Sequence, residues 1–303
     1  MTLQHKPGTG ARGIEWTDRT INATGGCLHG CRWRMPDGSV AVCYAETVAE
    51  RVARDAYPQG FAHHYWRPHV LEALKAGQEP ELRFVDSMAD LFGHWVPEDQ
   101  VRAVLGAMRE APHHAFQVLT KAPPQILKYV DELPPNLWVG ISTPPDFFMG
   151  RELSQAQKEA MLRRGIEVLA EVRYRSRCLT WLSAEPVSWD IGDVLYDVLP
   201  GADRLPLDWC VVGAASNGRT LYQPHWEHVS MLLDMLDVHW VPAFFKGNIR
   251  PLIDRGALGR WREDLPMLDR LGQPIPAVER RQARCVEFGW ALSSRTEEVG
   301  ANE

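Results

Sequence analysis

Leu137-Trp138-Val139-Gly140-Ile141-Ser142-Thr143, a helical pattern over 154–171, and then Cys178-Leu179-Thr180-Trp181-Leu182-Ser183-Ala184-Glu185 together decide the fold class of this chain. The two outer segments are continuous apolar runs of strand length, and the stretch between them has the apolar spacing of a helix. A strand apolar on both faces belongs in a sheet covered on both sides. A helical crossover between two such strands makes them parallel. Working outward, the same unit recurs. Apolar runs at 82–87, 115–121, 207–214 and 239–246 alternate with helical patterns at 43–53, 97–109, 123–130 and 226–236, and 20–24 is a further strand. Six or seven such repeats indicate an α/β fold, a partial (β/α)6-type barrel with a cysteine-rich loop after its first strand.

Each run closes in polar or small residues. The endings are Asp86-Ser87-Met88-Ala89-Asp90, Thr120-Lys121, Ser142-Thr143, Ser183-Ala184-Glu185-Pro186, Gly213-Ala214-Ala215-Ser216-Asn217 and Lys246-Gly247-Asn248. In β/α barrels the C-terminal strand ends share one mouth, and ligands bind there. Lys121, Glu185 and Lys246 are charged groups at that mouth and candidates for function. An internal Lys–Glu pair explains them equally well. The small-residue loop from Gly213 to Gly218 offers backbone N–H groups to a ligand, a weak signal by itself.

The chain has 303 residues, 45% of them hydrophobic, enough for one large α/β unit. The formal charge is −6, so no global basic field of the kind that binds nucleic acid is present. Basic residues at 173, 175 and 177 read as a solvated helix end, and twelve tryptophans read as framework packing. No apolar run approaches the ~20 residues of a membrane span, and no signal-peptide core follows Met1. The expectation is a cytoplasmic protein with a barrel over 13–266 and a C-terminal extension and tail over 267–303, the pattern fading from about Val278.

Three of the six cysteines crowd one stretch: Gly26-Cys27-Leu28-His29-Gly30-Cys31 and, eleven residues on, Val42-Cys43-Tyr44. Met35-Pro36-Asp37-Gly38-Ser39 between them is a strong turn signal, so a small hairpin would return Cys43 to the other two. Three thiolates are an odd number for disulfides or a closed zinc site, and suit three irons of a [4Fe–4S] cluster with the fourth iron open. On spacing alone, zinc with His29 or another residue as fourth ligand stands level with the cluster. Cys178 and Cys210 lie inside apolar strands and Cys285 has no partner nearby, so all three read as structural. His63-His64, His94 and His113-His114 lack metal-ligand spacing.

The ordered set of these segments resembles the radical S-adenosylmethionine (radical SAM) superfamily, and more narrowly a poorly characterised branch found in phages and prophages. The landmarks are Gly13-Ile14-Glu15-Trp16-Thr17-Asp18, Gly26-Cys27 through Cys43-Tyr44-Ala45-Glu46, Phe84-Val85-Asp86-Ser87-Met88-Ala89-Asp90-Leu91-Phe92, Phe116 to Lys121, Leu137 to Ser142, Leu182 to Pro186, Asp208 to Gly213 and Val241 to Lys246. The resemblance implies a [4Fe–4S] cluster held by Cys27, Cys31 and Cys43, with S-adenosylmethionine chelated to the open iron. Reductive cleavage would give a 5′-deoxyadenosyl radical that takes hydrogen from a substrate. Tyr44 would lie against the adenine, Ser87 and Asp90 would face the methionine amino group, and Ser142 and Glu185 the ribose or methionine end. Two departures stand out: the superfamily's usual C-x3-C-x2-C becomes C-x3-C-x11-C, and Asp86-Ser87-Met88 replaces a Gly-Gly-Glu.

The implied partners are an electron donor, a reductase or a flavodoxin- or ferredoxin-type protein, and a substrate. A nucleic-acid base or nucleotide is favoured because Tyr57, Phe61, Tyr65, Trp66, Arg67 and His69 could stack bases and meet phosphates. The alternative is a zinc-stabilised, non-catalytic binding protein on a degenerate barrel. A zinc hydrolase using Glu46 or Glu185 as base has no supporting motif.

Overall fold

The computed structural model describes residues 2–3, 14–198, 204–217, 220–253 and 261–287. Its central sheet holds seven parallel strands in chain order: β1 (Arg19–Ile21), β2 (Leu82–Val85), β3 (Ala115–Thr120), β4 (Leu137–Ser142), β5 (Leu179–Ala184), β6 (Trp209–Val212) and β7 (Ala243–Phe245). A short antiparallel strand, Thr2–Leu3, pairs on the free edge of β1. Consecutive parallel neighbours with helical crossovers curl into a half-barrel, the predicted architecture.

The α-helices of six residues or more among the described residues are α1 (Tyr44–Arg51), α2 (Glu98–Arg109), α3 (Gln155–Arg175), α4 (Gly192–Asp197), α5 (Trp226–Val238) and α6 (Pro276–Glu287). The longest, α3, starts where a capping box forms: the Ser154 hydroxyl accepts from the Gln157 N–H at 3.3 Å, and Gln157 Oε1 accepts from the Ser154 N–H at 2.8 Å. Its buried face carries Leu162, Gly165, Ile166, Leu169 and Val172. Gly165 lets α3 approach β4 closely: a Cβ there would stand 2.8 Å from Ile141 Cδ1. The helical pattern over 123–130 becomes one α turn, Pro123–Ile126, and a 3-10 stretch, Leu127–Glu132.

Period-two alternation sends each strand's side chains into two cores. Val85, Phe116, Val118, Val139, Ile141 and Leu182 face the helices. Phe84, Trp138, Trp181, Trp209, Val211 and Phe244 face inward, where Trp16 from the segment before β1 joins them. The inner core is largely aromatic: Trp16 lies 4.7 Å from Phe84 and 5.2 Å from Trp181, and Trp209 lies 5.2 Å from Trp181 and 5.6 Å from Trp138. Trp16, Trp138, Trp181 and Trp209 are thus packing residues, whereas Trp240, 72% exposed, departs from the expectation of framework packing. Gly140 has no side chain because the Trp181 indole fills that space; a Cβ would sit 2.2 Å from its Cε2.

The sequence pattern fades too early at the C-terminus. Helix α6 begins with Pro276, and Ile275, Ala277 and Val278 enter the inner core. Arg281, 6% exposed, donates to Asp18 Oδ1 at 3.0 Å and to the Glu15 carbonyl, so α6 clasps the segment that carries Trp16. Charged residues dominate this helix, which is why its short apolar face was not visible in the sequence. The remaining tail, 288–303, lies outside the described residues.

Candidate active site at the barrel mouth

The cysteine loop follows β1 at the C-terminal end of the sheet. Gly26, at φ 78°, is held between the Met88 carbonyl (3.0 Å from its N–H) and the chain at 61–63, where a Cβ would meet the His63 carbonyl at 1.7 Å. Only glycine fits. Cys27 N–H then donates to the Phe61 carbonyl at 2.9 Å.

Beyond Cys31 the chain forms the expected hairpin. Arg32–Arg34 pairs with Val40–Val42 in the register Arg32↔Val42, Trp33↔Ala41, Arg34↔Val40. The turn closes with Met35 N–H to Ser39 O at 2.8 Å and Gly38 at φ 82°. Cys31 and Cys43 therefore flank the last paired rung, side by side at the open end of the hairpin. Cys43 is also the N-cap of α1. Arg32 braces this junction with a two-pronged pair to Glu46, both contacts 2.7 Å, and a bond to the Cys31 carbonyl at 2.9 Å.

The three thiols sense one another. Burial, then the charge of Asp90, pushes the Cys27 thiol far above its usual range, against a backbone bond from His29 and with Cys31 and Cys43 adding to the rise. Burial pushes Cys31 up to about 12, with Lys121 pulling against it. A pocket that penalises a bare thiolate suits one neutralised by a cationic centre, so the donor set fits an iron–sulfur cluster with three protein ligands. Among the described residues, no three His, Cys, Asp or Glu side chains are placed to chelate one metal ion. A cluster spreads its thiolates over separate irons and does not ask for that convergence.

Asp90 is the mouth's central carboxylate. Its Oδ2 accepts from His29 Nε2 at 2.8 Å, Thr120 Oγ1 at 2.9 Å and Lys121 N–H at 2.9 Å, and its Oδ1 from Phe92 N–H at 3.0 Å. Burial would raise its pKa, but these bonds, His29 foremost, hold it below the usual carboxylate range. Asp90 thus faces the protein and ties the cysteine loop to the ends of β2 and β3. His29 is clamped between Phe148, stacked at 4.8 Å, and Trp95, edge-on at 4.8 Å. Its part in this clamp was not visible in the sequence, because the contact spans 61 positions.

Ser87 Oγ donates to Asn22 Oδ1 at 3.2 Å, and Asn22 also receives the Met88 N–H at 3.0 Å. The Ser87 carbonyl accepts from Tyr44 OH at 2.6 Å, which brings the residue after Cys43 onto the loop after β2. Tyr44 as a residue is 53% exposed. Across the mouth, Ser142 pairs in register with Ser183. Glu185 accepts from Ser183 Oγ at 3.0 Å and from Lys246 Nζ at 2.9 Å, so the internal Lys–Glu pair is the arrangement found. Glu15, which the sequence did not single out, joins them: its Oε2 accepts the Gly247 N–H at 2.6 Å. Burial raises the Glu15 pKa, opposed by that bond and by Lys246.

Tyr57 and Phe61 are buried and pack beside Cys27 and Cys43, while Arg67 sits 5.1 Å from the Tyr57 ring and 5.6 Å from Tyr65. Tyr57 and Phe61 wall the cysteine loop and offer no open stacking face, whereas Tyr65, Trp66 and Arg67 are half-buried and His69 is exposed. Arg173 pairs with Asp208 and Arg175 with Asp131, the ordinary surface role expected. Cys178 and Cys210 are fully buried; the side chain of Cys285 lies outside what is described. The loop after β6 becomes a hairpin, Ala215–Asn217 with Thr220–Tyr222, whose Tyr222 packs on Met35 and Ala41. A third hairpin, Phe147–Phe148 with Arg151–Glu152, joins the cysteine hairpin through Phe147↔Arg32.

A family model covers residues 11–250, the whole of the half-barrel. The chain belongs to the family described as "Protein of unknown function (DUF5131)". No curated protein matches this DUF5131 member. Among solved structures it is similar to a spore photoproduct lyase complexed with dinucleoside spore photoproduct (TM-score 0.42, 11% identity, 72% of this chain and 60% of that one). A mutant of that lyase with bound AdoMet and the same ligand gives a TM-score of 0.41 at 10% identity, over 73% of this chain and 60% of the other. A dihydropteroate synthase from Xanthomonas albilineans in complex with 7,8-dihydropteroate gives 0.31 at 13% identity, over 92% and 97%. The DUF5131 chain therefore spans 60% of the length of the lyases. Among its described residues, no helix is long and apolar enough to cross a membrane.

Proposed function

We propose that this chain is a radical SAM enzyme, with Cys27, Cys31 and Cys43 as the cluster ligands. The observation that carries the reading is the hairpin register that sets Cys31 beside Cys43 at the mouth of a parallel half-barrel, with Cys27 in the same loop. When bound, a [4Fe–4S] cluster and S-adenosylmethionine would supply one-electron cleavage of a sulfonium and hydrogen abstraction from a substrate. The chain's own residues bind, orient and shield. Asp90 and His29 fix the cysteine loop against β2 and β3. Tyr44, anchored through Ser87, presents a ring face toward the mouth. Ser142 and Glu185 line the opposite side, and Glu185 is held in one orientation by Ser183 and Lys246. Three hairpins and the Tyr57–Phe61 wall limit water around the loop.

The barrel over 13–266 is the catalytic unit of this proposal, and 267–303 its extension. A nucleic-acid base or nucleotide is the substrate class carried into this proposal, with Tyr65, Trp66, Arg67 and His69 beside the cysteine loop as the groups that would meet it. A flavodoxin- or ferredoxin-type protein would deliver the electron.

The test is anaerobic reconstitution with iron and sulfide, then dithionite and S-adenosylmethionine, with assay for 5′-deoxyadenosine. Brown protein that forms it supports the reading, and Cys43→Ala should abolish both colour and product. Colourless protein carrying about one zinc per chain would instead establish the zinc-stabilised binding protein.

A further inference from the structure

The loop after β2 and the turn after β3 enclose a cavity of about 240 Å³. None of the residues assigned above to cluster or cofactor lines it. Both of its sides start from Asp90. The Asp90 carboxylate accepts the Phe92 N–H at 3.0 Å and the Lys121 N–H at 2.9 Å, and its carbonyl accepts the Gly93 N–H at 3.0 Å. Gly93 lets the Trp95 indole lie against the backbone, since a Cβ there would stand 2.5 Å from Trp95 Cζ2. The same indole meets His29 edge-on at 4.8 Å, so one wall of the cavity belongs also to the clamp on the cysteine loop.

The floor is apolar. Phe92, Val96, Val101 and Tyr129 form it, none more than 7% exposed. The rim is polar, with His94, Glu98 and Lys128 exposed and Gln125 half-buried. Glu98 is engaged by Arg102 at 3.0 Å. Among the described residues, neither the Gln125 amide nor the Lys128 ammonium has a hydrogen-bond or ion-pair partner. Together these groups describe a ligand. Aromatic walls favour a flat ring. A carboxamide offers donors and an acceptor in one plane, the complement of a base edge. A free lysine at the rim offers a point charge to a phosphate. The volume lies below the about 300–1,000 Å³ of pockets that enclose whole drug-sized ligands, so the ring enters and sugar and phosphate stay at the rim.

We propose that this cavity is a nucleotide-binding site: the base enters against Trp95 and Tyr129, its edge meets Gln125, and its phosphate meets Lys128. The nucleotide comes either free or as one unit of a nucleic-acid strand. As a subsite for the substrate, the cavity rests on the nucleotide reading of the proposed function. As a binding site it does not.

The full chain is labelled with ¹⁵N-tryptophan, and the Trp95 indole signal is assigned by its loss in Trp95→Phe. Adenosine 5′-monophosphate, adenosine and a mixed-sequence single-stranded oligonucleotide are titrated separately into the wild type, Lys128→Met and Gln125→Leu. The remaining indole signals report that each variant keeps its fold. The expected result is a saturable shift of the Trp95 signal in the wild type. Lys128→Met should weaken the monophosphate about tenfold and leave adenosine unchanged, as for loss of a charge-assisted hydrogen bond. Gln125→Leu should weaken both about fivefold, as for loss of a neutral one. Tighter binding of the oligonucleotide assigns the site to a strand, and tighter binding of the monophosphate assigns it to a free nucleotide; either supports the site. A Trp95 signal that ignores all three probes, or that titrates identically in both variants, overturns it. Failure of the radical reading shows separately, as absent 5′-deoxyadenosine from reconstituted protein, and leaves this titration unchanged.

Discussion

His29 Nε2 lies 2.8 Å from Asp90 Oδ2, and both side chains are almost wholly buried. This contact joins the cysteine loop to the loop after β2, and through Asp90 to Thr120 and Lys121 at the end of β3. The geometry of the three thiols thus depends on a carboxylate that touches none of them in a recorded bond. A buried acceptor serving four donors is a fixed hub.

Asp90→Asn should break that hub, since an amide presents one acceptor oxygen where two are used and places N–H groups against existing donors. The expected loss is about 3 kcal/mol of folding stability, the scale for removing one member of a buried charged network. Urea unfolding of the iron-free protein measures it. Iron bound per chain after reconstitution should fall as well. Wild-type stability in Asp90→Asn would show that the hub does not constrain the fold.

Gln117 lies on the inward face of β3, fully buried, and neither its amide oxygen nor its nitrogen has a hydrogen-bond partner. It sits among the aromatic residues of the inner core, in register with Trp138. An unpaired buried amide costs about 1–3 kcal/mol, and an apolar group of the same shape removes that cost. Gln117→Met should therefore stabilise the fold by on the order of 1 kcal/mol, raising the melting temperature by about 2 °C. Thermal unfolding decides it, and a lower melting temperature would mean that an internal water completes the amide.

These two residues mark what could be read in the sequence and what could not. The half-barrel was legible because strands covered on both faces are continuously apolar, and because polar residues end each run at the same side. The hairpin was legible from Pro36-Asp37-Gly38, since turn chemistry is local. His29, Asn22 and Glu15 were not, because what defines them is contact across long stretches of chain: Glu15 reaches Gly247 over 232 positions. Helix α6 escaped for another reason. Among the described residues its buried face is Ala277, Val278 and Arg281, too short to register as a periodic pattern.

Two buried groups give opposite pH responses. Burial, with the charges of Arg83 and His113, lowers His114 from 6.5 to about 4. Between those values the unfolded chain binds a proton that the folded chain refuses, so this contribution is present above pH 6.5 and is lost as pH falls through 4. Burial raises Asp86 from 3.8 to about 7, against bonds from Thr24. Here the folded chain keeps a proton that the unfolded chain has released, so the favourable contribution exists below pH 3.8 and is lost as pH rises through 7. Each effect is about 3–4 kcal/mol at its limit, on the rule of 1.36 kcal/mol per unit. The two slopes partly cancel in the wild type. His114→Asn should therefore make stability fall with rising pH from 4 to 6.5, and Asp86→Asn should make it rise. Urea midpoints at pH 4.5, 5.5 and 6.5 measure both.

Lys246 stands between two carboxylates, 2.9 Å from Glu185 and close enough to Glu15 to oppose the rise in its pKa. Lys246→Met should be the more damaging single change, since it leaves Glu185 and Glu15 facing each other in a poorly solvated mouth. The expected cost is about 3–5 kcal/mol. Glu185→Gln should cost less, because Glu15 still balances the ammonium and the amide oxygen can still accept from Ser183. The double variant should recover much of the loss, giving a coupling of about 1–3 kcal/mol between the two positions. Urea unfolding of the four proteins closes the cycle. Additive costs would mean that the ion pair is incidental to the fold.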